Sequence, residues 1–385
     1  MSARWDVVVV GGRVAGASTA MLLARSGLRV LCLERTRSGS DTVSTHALMR
    51  GGVLQLHRWG VLDAVVAAGT PPVRRTVFHY GAETVPVTIR PMLGVDALRA
   101  PRRALLDSLL AQAAVGAGAT VRFATTVVDL CRDAGGRVTG VVTRDRRGTV
   151  RTEQAGLVVG ADGRDSLVAT AVGAEVLLAG QASSSFLYGY WAELPTDGYE
   201  WFYRSGASAG AIPTNDGLTC VFVGARPEVM DRLLAAGGPA GAVRALAGPG
   251  PLGLRLAAAE RIGTLRHVRG RPALLRRPYG PGWALVGDAG YWKDPLSTHG
   301  MTDALRDAEL LARAVLDAPA AGRAQDRALG GYQARRDRLS LPMLAAVERI
   351  ASYRWDLATV PALLRTLAGT MAEEVELLAS LPAVA

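Results

Sequence analysis

The feature that most restricts the fold of this sequence is a strand, a glycine turn, a helix and a second strand close to its start. Trp5 to Val10 is an apolar, β-branched run, which is typical of a parallel strand buried on both faces. It ends at Gly11-Gly12, and residues 13–25 then have helical spacing. Residues 29–33 form another apolar run, so the segment predicts one βαβ unit of ordinary length.

The turn inside this unit has the chemistry of a phosphate site. A helix N-terminus offers unpaired N–H groups and about half a positive charge, and small residues let a pyrophosphate reach the backbone. Gly11, Gly12 and Gly16 follow the pattern G-x-G-x-x-G, except that Arg13 stands where the second glycine belongs. Glu34 ends the second strand, where a carboxylate can accept hydrogen bonds from a ribose. The alternative is an ordinary βαβ unit with a surface glutamate and with Arg13 pointing to solvent.

Composition and charge narrow the class of protein. The chain has 385 residues, 49% hydrophobic and 20% charged, which predicts two or three domains with sizeable cores. The basic residues are almost all arginine, and the net charge is +10. This positive charge suits a phosphate-rich cofactor or substrate. No basic block alternates with aromatic residues, so nucleic-acid binding is not expected. No His, Cys and carboxylate group has metal-ligand spacing, so no metal is expected.

Cysteine usage and hydropathy predict a cytoplasmic protein without a membrane span. No apolar run reaches the roughly 18 residues of a membrane helix. The N-terminus has neither a basic region nor a small-residue cleavage site, which argues against secretion. The three cysteines are odd in number and far apart, so they predict no disulfide framework; they are Cys32, Cys131 and Cys220.

The rest of the chain separates into three kinds of segment. Residues 1–75, 101–180 and 265–335 are expected to form one discontinuous dinucleotide-binding domain. Residues 76–100 and 181–264 alternate in hydropathy and concentrate the aromatic residues, which predicts an antiparallel substrate domain. Residues 336–385 predict C-terminal helices that cap the cleft or pair subunits.

Three separated motifs occur in a fixed order. They are the βαβ unit with Glu34, the strand end that contains Asp162-Gly163, and Gly287-Asp288 followed by Pro295 and Gly300. Together they resemble the FAD-dependent group A aromatic hydroxylases, within a superfamily that includes the geranylgeranyl reductases. The resemblance implies an α/β fold with a Rossmann-type (GR2-like) FAD-binding domain, an antiparallel-sheet substrate domain and a C-terminal helical segment.

The resemblance also implies a set of FAD-binding residues. The pyrophosphate would lie at the start of the first helix and near one arginine. Separate residues would contact the ribose, the adenine, the ribityl chain and the flavin ring. Asp162 and Gly163 resemble the pair linked to the pyrophosphate and to docking of the nicotinamide cofactor. The implied residues are Gly11, Gly12, Val14, Ala15, Gly16 and Arg50 for the pyrophosphate, Glu34 and Arg35 for the ribose, Val127 for adenine, Arg103 for the flavin side chain, Gly287 and Asp288 for the ribityl hydroxyls, and Pro295, Gly300 and Met301 for the ring.

Two histidines are candidate catalytic residues. The family pattern P-x-x-G-x-G-x-N reads here Pro295 to Thr302, with Thr298 in place of a glycine and Thr302 in place of the asparagine. His299 would therefore lie near the flavin ring, where it could tune the flavin potential or transfer a proton. The alternative is a structural histidine that only forms a hydrogen bond within the loop. His46 follows Ser44-Thr45 in the loop that should approach the flavin, with a catalytic or a structural role.

The activity that the resemblance implies is monooxygenation. NADPH or NADH would reduce FAD, and a flavin C4a-hydroperoxide would hydroxylate an aromatic or polycyclic small molecule of secondary metabolism. One sheet face must bury the aromatic cluster, which predicts the substrate pocket at Tyr188, Tyr190, Trp201 and Tyr203. Alternatives are reduction of an alkene, as in the isoprenoid reductases, halogenation (although no W-x-W-x-I-P stretch occurs), and flavin or nucleotide binding without turnover. Both a monomer and a homodimer are compatible with the sequence.

Overall fold

A computed structural model describes residues 4–318 and 322–382, and it folds them into two large sheets, one small sheet and ten helices. The strands are β1 (Trp5–Val10), β2 (Val30–Leu33), β3 (Arg75–Tyr80), β4 (Glu83–Thr88), β5 (Thr120–Arg122), β6 (Thr125–Arg132), β7 (Val138–Asp145), β8 (Val150–Gly160), β9 (Val176–Ala179), β10 (Ser185–Ala192), β11 (Tyr199–Arg204), β12 (Ala207–Pro213), β13 (Thr219–Ala225), β14 (Glu260–Arg269), β15 (Leu274–Arg276), β16 (Tyr279–Gly280), β17 (Trp283–Leu285) and β18 (Tyr291–Trp292). The helices are α1 (Val14–Arg25), α2 (Arg50–Arg58), α3 (Leu62–Ala67), α4 (Arg103–Gly116), α5 (Leu167–Ala171), α6 (Pro227–Ala247), α7 (Pro251–Ala258), α8 (Gly300–Leu316), α9 (Arg323–Ala351) and α10 (Val360–Ser380).

The first sheet contains the predicted βαβ unit at its centre. Its order is β16-β17-β8-β1-β2-β5, and β6 and β7 extend it beside β8. β1 pairs in parallel with β2 and with β8, and its last four residues are buried. The prediction of a parallel strand buried on both faces is therefore confirmed.

The three motif-bearing strand ends meet at one edge of this sheet. The N–H of Ala161, just after β8, donates to the carbonyl of Val10 at the end of β1 (2.8 Å). The N–H of Val286, just after β17, donates to the carbonyl of Gly160 (3.0 Å). Gly11 lies between these ends with φ of +101°, and a Cβ there would lie 2.4 Å from the carbonyl oxygen of Ala161. Glycine is required at this position both for its backbone conformation and for the close approach.

The second sheet is formed by the segments predicted as a substrate domain. Its order is β14-β10-β13-β12-β11-β3-β4. All of its pairs are antiparallel except β11 with β3, which run parallel. β14 continues to Arg269, so this sheet extends a few residues past the predicted limit at residue 264. The division of the chain into domains stays a prediction.

The C-terminal helices cover the second sheet. Residues of α9 and α10 pack in one core with its aromatic side chains, among them Met343, Ile350 and Leu367. α9 is one continuous helix from Arg323 to Ala351. Residue 336, the predicted start of the C-terminal segment, therefore lies inside this helix. Residues 383–385 of that segment lie outside the described residues.

The helical spacing of apolar residues over residues 47–69 predicts a single helix, and this prediction is wrong in its extent. The segment forms α2 and α3, separated at Gly60 with φ of +69°. A left-handed glycine of this kind ends a helix. Across residues 4–318 and 322–382, no helix combines the length and the apolar character needed to cross a membrane.

Candidate active site

The turn before α1 carries a preformed carboxylate acceptor. Oε2 of Glu34 accepts the N–H of Gly12 (2.9 Å), and Oε1 accepts the N–H and hydroxyl of Thr36 (2.9 and 2.7 Å). Burial alone would raise the pKa of Glu34, but these hydrogen bonds and the nearby charge of Arg13 hold it below its ordinary value. Glu34 is therefore an ionised acceptor beside the N-terminus of α1, where the sequence predicted the ribose contact.

Arg13 does not point to solvent, contrary to the simpler of the two expectations. Its Nη1 donates to Oδ2 of Asp107 (3.0 Å), and it also reaches the carbonyl of Ser40 (3.3 Å). Arg103 donates to the same carboxylate through Nε and Nη2 (3.0 and 3.1 Å). Two guanidinium groups thus share one carboxylate next to the N-terminus of α1, and the surplus positive charge suits a pyrophosphate.

The start of α8 lies beside the start of α1. Gly287 has φ of +60°, and a Cβ on it would lie 3.0 Å from Cβ of Ala15 and 3.6 Å from Cβ of Ala304 in α8. A Cβ on Gly16 would lie 1.8 Å from the carbonyl oxygen of Gly11. Glycine at these positions lets both helices begin at one edge of the sheet, so two helix N-termini serve the same cleft.

Asp288 offers an acceptor that no described residue uses. It is half-buried, and within residues 4–318 and 322–382 only burial and nearby charges, with no hydrogen bond, act on its carboxylate. Burial raises its pKa to about 6, although Lys293 and Arg103 act in the opposite direction. A hydroxyl-bearing ligand in this place would satisfy the carboxylate.

The loop from Pro295 to Met301 turns through a left-handed residue and then starts α8. Thr298, in place of the family glycine, keeps a left-handed φ of +52°, a conformation that costs a non-glycine residue roughly 1–2 kcal/mol. A Cβ on Gly300 would meet nothing within 4 Å, so the backbone at the start of α8 faces open space. Strained backbone beside an open helix N-terminus is typical of a ligand site.

His299 is buried at this helix start and is held by the C-terminal helix. Its Nε2 lies 3.0 Å from Oε1 of Glu374 in α10. Nδ1 of His299 and the hydroxyl of Thr302 are buried and have no hydrogen-bond partner in the described part of the chain. Burial lowers the pKa of His299, although Glu374 opposes the shift. The imidazole is therefore neutral near pH 7, with its N–H directed at Glu374 and Nδ1 as an acceptor.

A buried ionic cluster surrounds this pair. Arg306 donates to Asp303 (3.0 Å), Asp307 (2.7 Å) and Glu374 (2.8 Å), and Lys293 forms an ion pair with Asp303. Ligand atoms of His299, Asp303 and Glu374 lie within 4.8 Å of one another. Arg306 and Lys293 already supply the positive charge that a metal would bring, so the cluster is better explained as an ion-pair network.

The other residues implied by the resemblance lie near this edge or on neighbouring elements. Oδ1 and Oδ2 of Asp162 accept hydrogen bonds from Ser166 (2.6 Å) and Val168 (3.2 Å), so its carboxylate stabilises the start of α5. Gly163 has φ of +82°. Nη2 of Arg50 donates to the carbonyl of Arg90 (2.8 Å). Arg35 is exposed, and Val127 pairs with Thr143 beside a bulge. Their roles toward a cofactor stay predictions.

The four predicted pocket residues share one face of the second sheet, and this set is called the aromatic wall below. All four are buried and belong to one core with Leu296 of the loop before α8; they are Tyr188, Tyr190, Trp201 and Tyr203. Tyr203 lies 5.9 Å from the ring of Trp355, so the segment after α9 covers that end of the wall. Tyr188 and Tyr190 form the opposite end.

His46 contacts the wall directly. Its Nε2 lies 2.6 Å from the hydroxyl of Tyr190, and its φ of +69° is left-handed. Burial, with the charges of Arg102, Arg103 and Arg266, lowers its pKa to about 3. Nδ1 of His46 is buried without a partner in the described chain. Burial also raises the pKa of Tyr190, so the neutral imidazole and the protonated phenol share a hydrogen bond that fixes both rings.

Four residues at the site were not identified from the sequence. Glu374 had a usable signal, because Leu367, Val375 and Leu378 place it on the buried face of an amphipathic helix. Arg102, which lies over the Tyr190 ring, and Arg266 both approach the carboxylate of Asp41. These three residues gave no comparable signal, because they lie in separate segments that only the fold brings together.

The residues of this site fit FAD. Two helix N-termini, the ionised Glu34 and the surplus charge at Arg13 and Arg103 suit a dinucleotide. The open backbone at Gly300 and the carboxylate of Asp288 suit the flavin end. The fold and site therefore define a flavoprotein of the dinucleotide-binding class.

The sequence profile of the FAD binding domain family matches residues 4–216, which is more than half of the chain, and the chain belongs to that family. It is an FAD-dependent oxidoreductase. It is similar to digeranylgeranylglycerophospholipid reductase 2 of Methanothermobacter thermautotrophicus, with 27% identity over 86% of this chain and 83% of that protein.

Two Streptomyces hydroxylases are also similar. 6-Methylpretetramide 4-monooxygenase of Streptomyces rimosus is 25% identical over 86% of this chain and 59% of that protein. Aklavinone 12-hydroxylase of Streptomyces purpurascens is 35% identical over 44% of this chain and 34% of that protein. The chain thus spans less than two thirds of the length of either hydroxylase.

Solved structures share the fold at low sequence identity. A triple mutant of a flavin-dependent brominase superposes with a TM-score of 0.80 at 19% identity, covering 97% of this chain and 94% of that one. A probable FAD-dependent monooxygenase of Pseudomonas aeruginosa superposes with a TM-score of 0.77 at 22% identity, covering 96% of this chain and all of that one. The predicted fold class and the predicted FAD cofactor are confirmed.

Proposed function

We propose that this protein is an FAD-dependent monooxygenase that uses NADPH or NADH to hydroxylate an aromatic or polycyclic small molecule. The observation that carries the proposal is the contact between buried His46 and Tyr190 of the aromatic wall. The core that contains this wall also includes Leu296 of the predicted flavin loop. When bound, FAD supplies the redox chemistry by taking electrons from the nicotinamide and activating dioxygen. The similarity to 6-methylpretetramide 4-monooxygenase and to aklavinone 12-hydroxylase supports the same reaction class.

The protein groups would bind, orient and exclude water. Glu34 and the N-terminus of α1 would hold the adenosine half, and Asp288 would hold the ribityl hydroxyls. The helix dipole of α8 would favour negative charge on the flavin ring. Tyr188 and Tyr190 would lie against the substrate ring, in a core sealed by α9 and α10.

The His46–Tyr190 pair would orient a substrate hydroxyl by hydrogen bonds. Burial lowers the pKa of His46 to about 3 and raises the pKa of Tyr190, so the imidazole stays neutral and the phenol stays protonated. Their contact at 2.6 Å fixes both side chains, and Nδ1 of His46 has no partner among the described residues. Tyr190→Phe would lower kcat/KM by about tenfold through the lost hydrogen bond, with FAD content unchanged, whereas Tyr203→Phe at the covered end would not.

Alkene reduction is the second candidate, because the archaeal reductase is similar over 83% of its length. The residues of the wall favour hydroxylation. An isoprenoid chain has no group to pair with phenol hydroxyls, an imidazole and arginines, and burying them against it would cost hydrogen bonds.

The deciding experiment follows the oxygen atom. FAD-loaded protein is mixed with NADPH or NADH, a dihydroxyanthraquinone and heavy-isotope O2, and the product is analysed by mass spectrometry. We expect nicotinamide oxidation that requires O2 and a product that carries one heavy oxygen. Product formed without O2 and without the label would overturn the proposal in favour of reduction.

A further inference from the structure

Two arginines at the Tyr188–Tyr190 end of the aromatic wall share a single carboxylate that neither holds closely. Nη2 of Arg102 lies 4.0 Å from Oδ2 of Asp41, and Nη1 of Arg266 lies 3.5 Å from the same oxygen. By contrast, Arg255 donates to both oxygens of Glu200 at 2.9 and 2.6 Å. Asp41 therefore leaves one positive charge uncompensated.

Both arginines are directed at the wall. Cζ of Arg102 lies 4.1 Å from the centroid of the Tyr190 ring, and a guanidinium stacked on a ring keeps its in-plane N–H groups available to another partner. Arg266 stands opposite Tyr188 in the β10–β14 ladder, and its Nη1 lies 3.5 Å from the Tyr188 hydroxyl.

Within residues 4–318 and 322–382, nothing else near these arginines supplies the missing negative charge. Nε of Arg102 is buried and has no hydrogen-bond partner within the described residues. The neighbouring Arg103 already holds Asp107 through two hydrogen bonds. His46 is neutral, because burial and the arginines around it lower its pKa to about 3. A buried polar group without a hydrogen-bond partner implies that a ligand or a water molecule supplies that hydrogen bond.

We propose that Arg102 and Arg266 form a subsite for the carboxylate of an aromatic acid whose ring lies against Tyr188 and Tyr190. The ligand carboxylate replaces Asp41, which occupies this place loosely in its absence. Planar guanidinium groups match a carboxylate in geometry and charge, and the adjacent rings select an aromatic carrier over a free inorganic anion. The inference rests on the proposed function and specifies the substrate class for the same site.

The test compares an acid with its neutral isostere. FAD-loaded protein is titrated with salicylate and with salicylamide, and binding is read from the change in flavin absorption. Since hydrogen bonds to charged groups are strong, we expect salicylate to bind at least about tenfold more tightly. Arg266→Gln should remove this preference while the affinity for salicylamide stays the same. Arg269→Gln is the matched control, because Arg269 lies on the same strand, is 63% exposed and pairs with Asp231.

A second variant should act in the opposite direction. Asp41→Asn removes the competing carboxylate, so salicylate should bind more tightly than to the unaltered protein while salicylamide does not. Equal affinities for acid and amide in the unaltered protein, or no gain in Asp41→Asn, would overturn the inference. Hydroxylation of neutral aromatics without any preference for acids would reject the subsite alone. A preference for salicylate without labelled oxygen in any product would instead reject the proposed monooxygenase activity.

Discussion

Oε1 of Glu374 lies 3.0 Å from Nε2 of His299, and Oε2 of the same carboxylate lies 2.8 Å from Nη1 of Arg306. Glu374 thereby joins the C-terminal helix to the first turn of α8. A Cβ on Gly51 would lie 2.9 Å from Oε1 of Glu374, so the start of α2 also packs against this carboxylate. The orientation of the predicted flavin loop therefore depends on a helix far from it in sequence.

Replacing Glu374 should destabilise the fold in a pH-dependent way. Glu374→Gln leaves Arg306 with one carboxylate fewer in a buried site, and we expect the free energy of unfolding at pH 7 to fall by about 3 kcal/mol. Burial alone would raise the pKa of Glu374, but the charge of Arg306 and the hydrogen bonds that Glu374 accepts from His299 and Arg306 hold it below its ordinary value. Its stabilisation is therefore complete above the unfolded pKa of about 4.3 and is lost as the pH falls further.

The measurement is urea unfolding of both proteins between pH 7 and pH 3. The difference in the free energy of unfolding between the unaltered protein and Glu374→Gln should narrow below about pH 4. Glu376→Gln, at an exposed position of the same helix, is the control and should change little. The folded pKa is lowered to about 2, so part of the difference should remain at pH 3; a difference that does not narrow at all between pH 5 and pH 3 would mean that the Glu374 carboxylate does not act as an ion.

Gly16→Ala should prevent FAD binding. Its Cβ would lie 1.8 Å from the carbonyl oxygen of Gly11, so the first turn of α1 must shift away from the strand end. We expect a colourless protein and a loss of about 3 kcal/mol in the free energy of unfolding. Gly369→Ala in α10, where a Cβ meets nothing within 4 Å, should instead gain up to about 1 kcal/mol. A yellow Gly16→Ala protein would show that the turn tolerates a side chain.

The parts of this site that the sequence predicted are those that depend on short segments. β1, α1 and Glu34 follow from apolar runs, glycine placement and one acid within a single βαβ unit. Such a unit forms a phosphate cradle wherever it occurs, because a strand end and a helix N-terminus meet within a few residues. The structure adds only that Arg13 is held by Asp107.

The parts that the sequence did not predict depend on tertiary contacts. Glu374 and His299 are brought together by packing of α10 against α2 and α9, which no local pattern encodes. Trp59-Gly60 could have indicated the end of α2, because a left-handed glycine commonly follows a helix. The helical spacing of apolar residues continues on both sides of Gly60, and this continuity hid the break.

Lys293, the single lysine in the sequence, should resist acylation in the folded protein. It is 5% exposed, and burial lowers its pKa to about 7, so at pH 8 its amine is mostly unprotonated. Slow reaction with a succinimidyl ester at that pH would therefore report burial rather than protonation. Arg147→Lys, at an exposed hairpin position, supplies an accessible lysine for comparison. Peptide mapping that finds Lys293 acylated as fast as Lys introduced at position 147 would contradict the buried ionic cluster.

His46 should make the fold less stable in mild acid. The folded pKa of about 3 lies below the ordinary value of 6.5, so between these values the unfolded chain binds more protons than the folded one. Stability therefore rises with pH across this window, by about 1.4 kcal/mol per pH unit from this group. Lowering the pH from 6.5 to 4.5 should lower the free energy of unfolding by about 2 kcal/mol through His46, mostly above the range in which Glu374 contributes. His46→Gln should remove this component, and urea unfolding at the two pH values measures it. His267→Gln, at an exposed position, should keep the dependence of the unaltered protein. An unchanged pH dependence in His46→Gln would mean that folding leaves the pKa of His46 near its ordinary value, which would contradict a desolvated imidazole beside Tyr190.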